Sequence, residues 1–169
     1  MKKLFYILLF FTIILSSCYT SPTSIKYYQP ILDISMKDTL NFSIPLGNDS
    51  IWNYEDVDSI YENIIIFENQ GLNAYITEID WEIYDYTNRI REDYSKIYLN
   101  PVKIEKNSSD TISLLFFLYG SSATRIDEED GIEDNVAYGT IQLKIKYYDD
   151  NGITYTSKIF YKNIKAVVE

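Results

Sequence analysis

A run of carboxylates in the C-terminal half of the chain has the chemistry to bind calcium. Four acidic residues are consecutive and two more follow closely: Asp127, Glu128, Glu129, Asp130, Glu133 and Asp134. Calcium prefers carboxylate oxygens, but the spacing does not fit an EF-hand loop, because placing Gly131 at the sixth position puts Ile126 at the first. The sequence therefore predicts a solvated acidic loop, with a calcium site as the alternative.

Other residues that could do chemistry do not form a catalytic set. The chain contains no histidine and a single cysteine, which excludes Ser-His-Asp and Cys-His catalysis and the usual zinc sites. The adjacent carboxylates Asp149 and Asp150 stand in the segment DDNG, where aspartate is favoured for turn geometry. There is no GxSxG segment and no glycine-rich phosphate loop. We therefore predict a protein that is not an enzyme and has no cofactor.

The single cysteine, Cys18, follows an apolar segment that begins near the N-terminus. The run from Leu4 to Leu15 is twelve residues, so as a helix it covers about 18 Å, against the ~30 Å of a hydrocarbon core. It is too short to span a membrane. Two lysines precede it and two serines follow it, which is the order of regions in an export signal.

The residues LSSC at positions 15 to 18 resemble the bacterial lipobox. The resemblance implies cleavage before Cys18, a diacylglyceryl group on its sulfur and a further acyl chain such as palmitate on its amine. Two or more chains give stable anchoring, so the resemblance implies a lipoprotein of the cell envelope. Tyr19 stands where an aspartate would resemble an inner-membrane retention signal, which favours the outer membrane in a two-membrane organism.

We predict three segments: a signal peptide at 1–17, the lipidated cysteine and a tether at 18–30, and one folded domain at 31–169. The tether contains Pro, Ser and Thr without a clear period. Removing the signal, with its two lysines, changes the net charge from −10 to −12. A chain this acidic should avoid nucleic acid, so the partners we expect are the membrane, through the lipid, and a protein or glycan.

The folded domain reads as a series of strands. The segments TLNFSIP, AYITEIDWEIYDY and GTIQLKIKYY alternate apolar and polar residues, and we assign Tyr75, Thr77, Ile79, Trp81 and Ile83 to one core face. SIYENIIIFEN reads as a more central strand and DTISLLFFLYG as a buried one. Asn151-Gly152 between alternating runs predicts a hairpin. No convincing amphipathic helix is found.

About seven strands with regular turns favour an all-β, antiparallel sandwich. Residues 60 to 165 resemble the small immunoglobulin-like modules of bacterial surface proteins, through an Asn-x-Gly turn (Asn69, Gly71), Ala74 and a closing hairpin. If the strands follow immunoglobulin order, the loop containing Arg89 and Arg91 emerges beside the acidic segment. We therefore predict that one of these arginines lies near a carboxylate of residues 127–130.

The function predicted from these observations is a membrane-anchored, non-catalytic module for binding, adhesion or envelope assembly. Seventeen tyrosines and the tryptophans leave an alternative, a carbohydrate-binding accessory lipoprotein that uses exposed aromatic rings. The pairs Tyr27-Tyr28 and Tyr147-Tyr148 place adjacent rings on opposite sides of an extended chain, which weakens the idea of one continuous platform.

Overall fold

The computed structural model describes residues 28–45, 56–132 and 134–168. Cys18, the signal peptide, most of the tether and Glu133 lie outside the described residues. The described elements, in chain order, are β1 (Leu32–Ser35), β2 (Thr39–Ile44), β3 (Val57–Glu68), β4 (Ala74–Tyr84), β5 (Ile90–Ile104), β6 (Ser109–Tyr119), α1 (Gly120–Asp130), β7 (Val136–Tyr148), β8 (Thr154–Thr156) and β9 (Phe160–Val168).

The strands form a β-sandwich of two sheets in immunoglobulin order, as the sequence predicts. The smaller sheet has the order β1-β3-β6, and the larger has β2-β9-β7-β4-β5, with β8 paired to β7. The described residues hold nine strands rather than about seven, because β1 and β8 are too short to have a clear pattern. The expectation of a purely antiparallel fold is wrong at one place, since β2 runs parallel to β9. The chain crosses from one sheet to the other between β1 and β2.

The core lies between the sheets and is filled by alternating residues of both. Trp81, 1% exposed, packs against Phe116 with ring centroids 5.5 Å apart, so it sits in the core as predicted. On β7 every second residue from Ile141 to Tyr147 is buried, which confirms the alternation seen in the sequence. The Tyr147 hydroxyl is satisfied by donating to the Pro30 carbonyl at 2.8 Å.

The predicted core face of β4 is correct only in its second half. Both neighbouring strands shift register between Ile76 and Glu78, so Thr77 forms a bulge that reverses the alternation. Ala74 and Ile76 are therefore buried, whereas Tyr75 points outward. Opposite the bulge, residues 98–101 of β5 have no partner in the register with β4, because the pairing passes directly from Ile97 to Val102.

The turns around the sandwich depend on buried carboxylates. Glu68, 2% exposed, accepts hydrogen bonds from the backbone N–H groups of Gln70, Gly71 and Leu72 at 2.7–3.1 Å and of Asn107 at 3.1 Å. Gly71 has φ +75°, as its turn position requires. Glu68 thus joins the β3–β4 and β5–β6 turns with one side chain.

The predicted hairpin after β7 is confirmed. Gly152 has φ +76°, and β8 returns along β7 with Tyr155 opposite Tyr147. Asp149 accepts from the N–H groups of Asn151 and Ile153, both at 2.9 Å. Burial raises the pKa of Asp149, but these hydrogen bonds outweigh it and the pKa is lowered.

The prediction of a solvated acidic loop is wrong, because residues 120–130 form the helix α1. Ala123, Thr124 and Ile126 are buried against the sandwich, and Gly131 ends the helix in the left-handed conformation with φ +77°. Three buried side chains in an acidic segment are too weak an apolar pattern to identify from the sequence. Packing against the sheets stabilises this helix.

Candidate binding surface

Four of the acidic residues that could have bound calcium, Asp127 to Asp130, lie along the second half of α1. Arg125 pairs with Glu128 at 2.8 Å, and the Asp130 carboxylate accepts from the N–H of Ile132 at 2.9 Å. Among the described residues, no three histidine, cysteine or carboxylate side chains are arranged to hold a metal ion. Calcium binding by Asp127, Glu128, Glu129 and Asp130 therefore gains no geometric support.

The arginines Arg89, in the β4–β5 loop, and Arg91, near the start of β5, approach the helix, as predicted from strand order. The Arg89 and Arg91 guanidinium groups lie 3.4 and 3.6 Å from the same oxygen of Glu129. Arg91 also pairs with Asp85, which is 4% exposed. Burial raises the pKa of Asp85, but the Arg89 N–H, the Thr87 hydroxyl and Arg91 outweigh it, so the pKa is lowered. The prediction of a basic loop beside an acidic segment is confirmed.

The outer face of the larger sheet is covered with charge pairs. Lys146 lies 2.9 Å from Glu78 and 3.1 Å from Asp80, and Lys144 lies 3.6 Å from Glu82. Hydrogen bonds from Ser95 and then Lys146 lower the pKa of Glu78 to about 2. The depression between β4, β5 and β7 is open and about 180 Å³ in volume. These carboxylates are held by lysines, so the arrangement does not resemble an acid and base facing a substrate.

Within the described residues, the one parallel stack of aromatic rings is the pair Tyr75 and Tyr148 on the larger sheet. Tyr147 is in the core and Tyr148 points outward, so the two adjacent rings do lie on opposite sides. Tyr148 stacks on Tyr75 with ring centroids 4.9 Å apart, which covers one side of each ring. Tyr27 lies outside the described residues. Trp81 is buried, so it is not available to a ligand.

The smaller sheet has an outer face without charged side chains on β3 and β6. The two strands pair in antiparallel register from Val57 opposite Tyr119 to Phe67 opposite Ser109. Alternate residues point outward, and we call this set the uncharged face: Val57, Ser59, Tyr61, Asn63, Ile65 and Phe67 on β3, with Ser109, Thr111, Ser113, Leu115, Phe117 and Tyr119 on β6. In a chain of net charge −10, such a face is a candidate interaction surface.

Most of the large side chains of the uncharged face are exposed to solvent, whereas Leu115 and Phe117 are half-buried, Phe117 against the rings of Trp81 and Tyr94. Tyr61 is 74% exposed, Val57 50% and Tyr119 42%, and the rings of Phe117 and Tyr119 pack edge to face with centroids 5.8 Å apart. At one margin, Asp33 on β1 pairs with Lys158 at 3.2 Å. A centre without charge and a margin with charge is the composition of a protein interface.

Side chains from the larger sheet cover the outer edge of β6. The Trp81 Nε1 donates to the Leu115 carbonyl at 3.1 Å, and Lys96 donates to the Ser113 carbonyl at 3.0 Å. Glu92 accepts from the Tyr119 N–H at 3.3 Å. This edge therefore has less capacity to pair with another strand, so the face of the sheet is the more accessible surface.

The sequence did not identify the uncharged face, because its residues were assigned to buried strands. β3 is central in its sheet, as predicted, but Ile65 and Phe67 are partly exposed. β6 is an edge strand with one solvent-facing side rather than a fully buried strand. The available signal was the lack of charge at every second position of both strands, which burial and an interface explain equally well.

Comparison with known proteins shows the fold alone. The structure is similar to a protein from Archaeoglobus fulgidus, with a TM-score of 0.51 and 8% identity over 82% of this chain and 95% of that one. It is also similar to the putative ApaA protein from Bordetella pertussis, with a TM-score of 0.47 and 12% identity over 82% and 94%. A cohesin module from Clostridium perfringens gives 0.38 and 11% over 83% and 98%.

No family model matches the chain, and no curated protein matches it. Across the residues that the structure describes, no helix is long and apolar enough to cross a bilayer.

Proposed function

We propose that this chain is a bacterial lipoprotein whose sandwich domain acts as a non-catalytic binding module for a protein partner. The observation that carries the proposal is the uncharged face. It offers exposed tyrosine side chains, a type enriched in protein interfaces, together with aliphatic ones, and it has no charge to desolvate at its centre.

The anchor of the proposed module is Cys18, on the argument from LSSC. The described domain begins close to this anchor in sequence, since β1 starts at Leu32. Residues 19 to 30, fully extended, reach about 40 Å, so the tether can hold the domain clear of the lipid headgroups. For an organism with two membranes, we propose the outer membrane.

A protein partner fits this surface better than a glycan. Sugar binding by stacking uses the open side of an aromatic ring, and on the larger sheet Tyr75 and Tyr148 cover each other. On the uncharged face the aromatic rings are mixed with aliphatic side chains such as Val57 and Leu115, which favour an apolar protein surface.

The anchor is tested by replacing Cys18 with Ala and fractionating the cells after labelling with radioactive palmitate. We expect the wild-type chain to carry label and sediment with membranes, and the variant to lose both properties. Ser17→Ala is the matched control, because a small residue still precedes the cysteine and processing should persist. A Cys18→Ala chain that is still labelled and membrane-bound would refute the lipoprotein assignment.

The binding surface is tested separately with Tyr61→Asp, which places a charge on the uncharged face. We expect the variant to lose its partner in chemical cross-linking of intact cells while its melting temperature changes little. Tyr161→Asp, on the exposed side of the larger sheet, is the control. Equal cross-linking of both variants and the wild type would contradict the proposed surface.

A further inference from the structure

We infer that the partner of the uncharged face is a second copy of this chain, so that the module pairs with itself through β3 and β6. This inference rests on the proposed function, which assigns the face to a protein partner. Two properties of the face support a second copy, namely its charge and the order of its side chains along the strands, and its size determines how strongly the copies pair.

The charge of the molecule restricts how two copies can meet. Each chain has a net charge of −10, so most approaches bring like charges together. The outer face of the larger sheet presents the carboxylates of Glu78, Asp80 and Glu82, already matched by its own lysines. Two uncharged faces, in contrast, meet without a charge at the centre, and carboxylates such as Asp33 stay at the margin.

The outward side chains of β6 change in size along the strand. The first half carries the small Ser109, Thr111 and Ser113, and the second half carries the large Leu115, Phe117 and Tyr119. A two-fold axis that crosses the strands at their middle lays β6 over its copy in the opposite direction. Each large residue of one copy then lies over a small residue of the other, which is the self-complementarity that a two-fold interface requires.

The same axis produces complementary contacts on β3. Asn63 lies over Tyr61 of the copy, and Ser59 lies over Ile65. The axis is consistent for both strands, because Asn63 and Ser113 are opposite each other in the β3–β6 register, as are Tyr61 and Leu115. One symmetric arrangement therefore fits both strands without burying a charge.

The size of the face indicates a weak pair. Eleven residues at about 3.4 Å, across the two strands β3 and β6 about 4.8 Å apart, give about 360 Å² per copy. Two copies bury about 700 Å², well below the ~1,600 Å² of a standard stable interface. Pairing of free chains should therefore be weak, and chains held in one membrane should pair more, because tethering raises their effective concentration.

The test uses the full chain in intact cells, with a photo-reactive benzoylphenylalanine in place of Tyr61. Tyr161, which is 60% exposed on the outer side of β9, is the matched control position. We expect illumination to join two copies, at twice the mass of the chain, from position 61 and not from position 161. Equal yields of the double-mass product from both positions would overturn the inference.

The other outcomes separate this inference from the proposed function. A product between position 61 and a different protein, with no double-mass product, would overturn the second copy and leave the binding surface standing. No product from position 61 at all would overturn both.

The two-fold arrangement is tested by charge at Asn63, which lies near the proposed axis. Asn63→Asp and Asn63→Lys should each lower the yield of the double-mass product at least tenfold, because each places like charges near one another. Co-expressing the two variants with different tags should restore the product between them. Failure of rescue, with both variants folded as judged by unchanged melting temperatures, would overturn this arrangement.

Discussion

Replacing Trp81 with Ala should remove a large part of the stability of the domain. The side chain is 1% exposed and contacts the rings of Tyr94, Phe116 and Phe117 at centroid distances of 4.9–5.7 Å. Burying about 200 Å² of aromatic surface at about 25 cal/mol per Å² contributes about 5 kcal/mol. Measured losses for Trp→Ala in cores are about 3–5 kcal/mol, against a total of about 5–15 kcal/mol.

The indole also stabilises an edge of the smaller sheet, because its Nε1 donates to the Leu115 carbonyl at 3.1 Å. Trp81→Phe keeps most of the packing and removes this donor, so it should cost about 1–3 kcal/mol. The two variants therefore separate lost volume from a lost hydrogen bond. We expect the Ala variant to be the less stable of the two.

The assay is urea denaturation followed by far-ultraviolet circular dichroism, with Tyr161→Ala as an exposed aromatic control that should change stability by less than about 0.5 kcal/mol. A loss below about 1 kcal/mol for Trp81→Ala would refute the assignment of this residue to the core. If Trp81→Ala and Trp81→Phe lost the same free energy of unfolding, packing would not be the larger contribution of this side chain.

Three further results are expected. Glu68→Gln should cost about 2–4 kcal/mol in urea melts, because a neutral amide offers one acceptor oxygen to the four N–H groups that the carboxylate binds closely; no loss would show that the two turns form without it. Gly139→Ala should destabilise by about 1–3 kcal/mol, because a Cβ would lie 2.7 Å from the Tyr84 carbonyl oxygen, and an unchanged melting temperature would contradict this contact. The pKa of Glu78, measured by NMR, should be about 2 and should rise in Ser95→Ala. Because the folded pKa is depressed, the hydrogen bonds of ionised Glu78 stabilise the fold above pH ~4.5, and this contribution disappears as the pH falls towards 2.

The sequence alone determined the strand-rich class and several local features. Alternation in β7 and in the second half of β4 is unambiguous, because charged residues occupy every second position and exclude that face from a core. Asn151-Gly152 specified a hairpin through its backbone preference, which does not depend on distant residues. Strand order then brought Arg89 and Arg91 close to Glu129, a contact that needed only the fold class to predict.

Tertiary structure decided the features in which local preference is weak or ambiguous. The helix α1 carries consecutive carboxylates and exists because Ala123 and Ile126 pack against the sheets. The bulge at Thr77 is invisible in an alternating pattern, yet it moves Ile76 into the core and Tyr75 out of it. The uncharged face also depends on tertiary structure. β3 and β6 have apolar residues on both sides, and the position of the second sheet decides which side is buried.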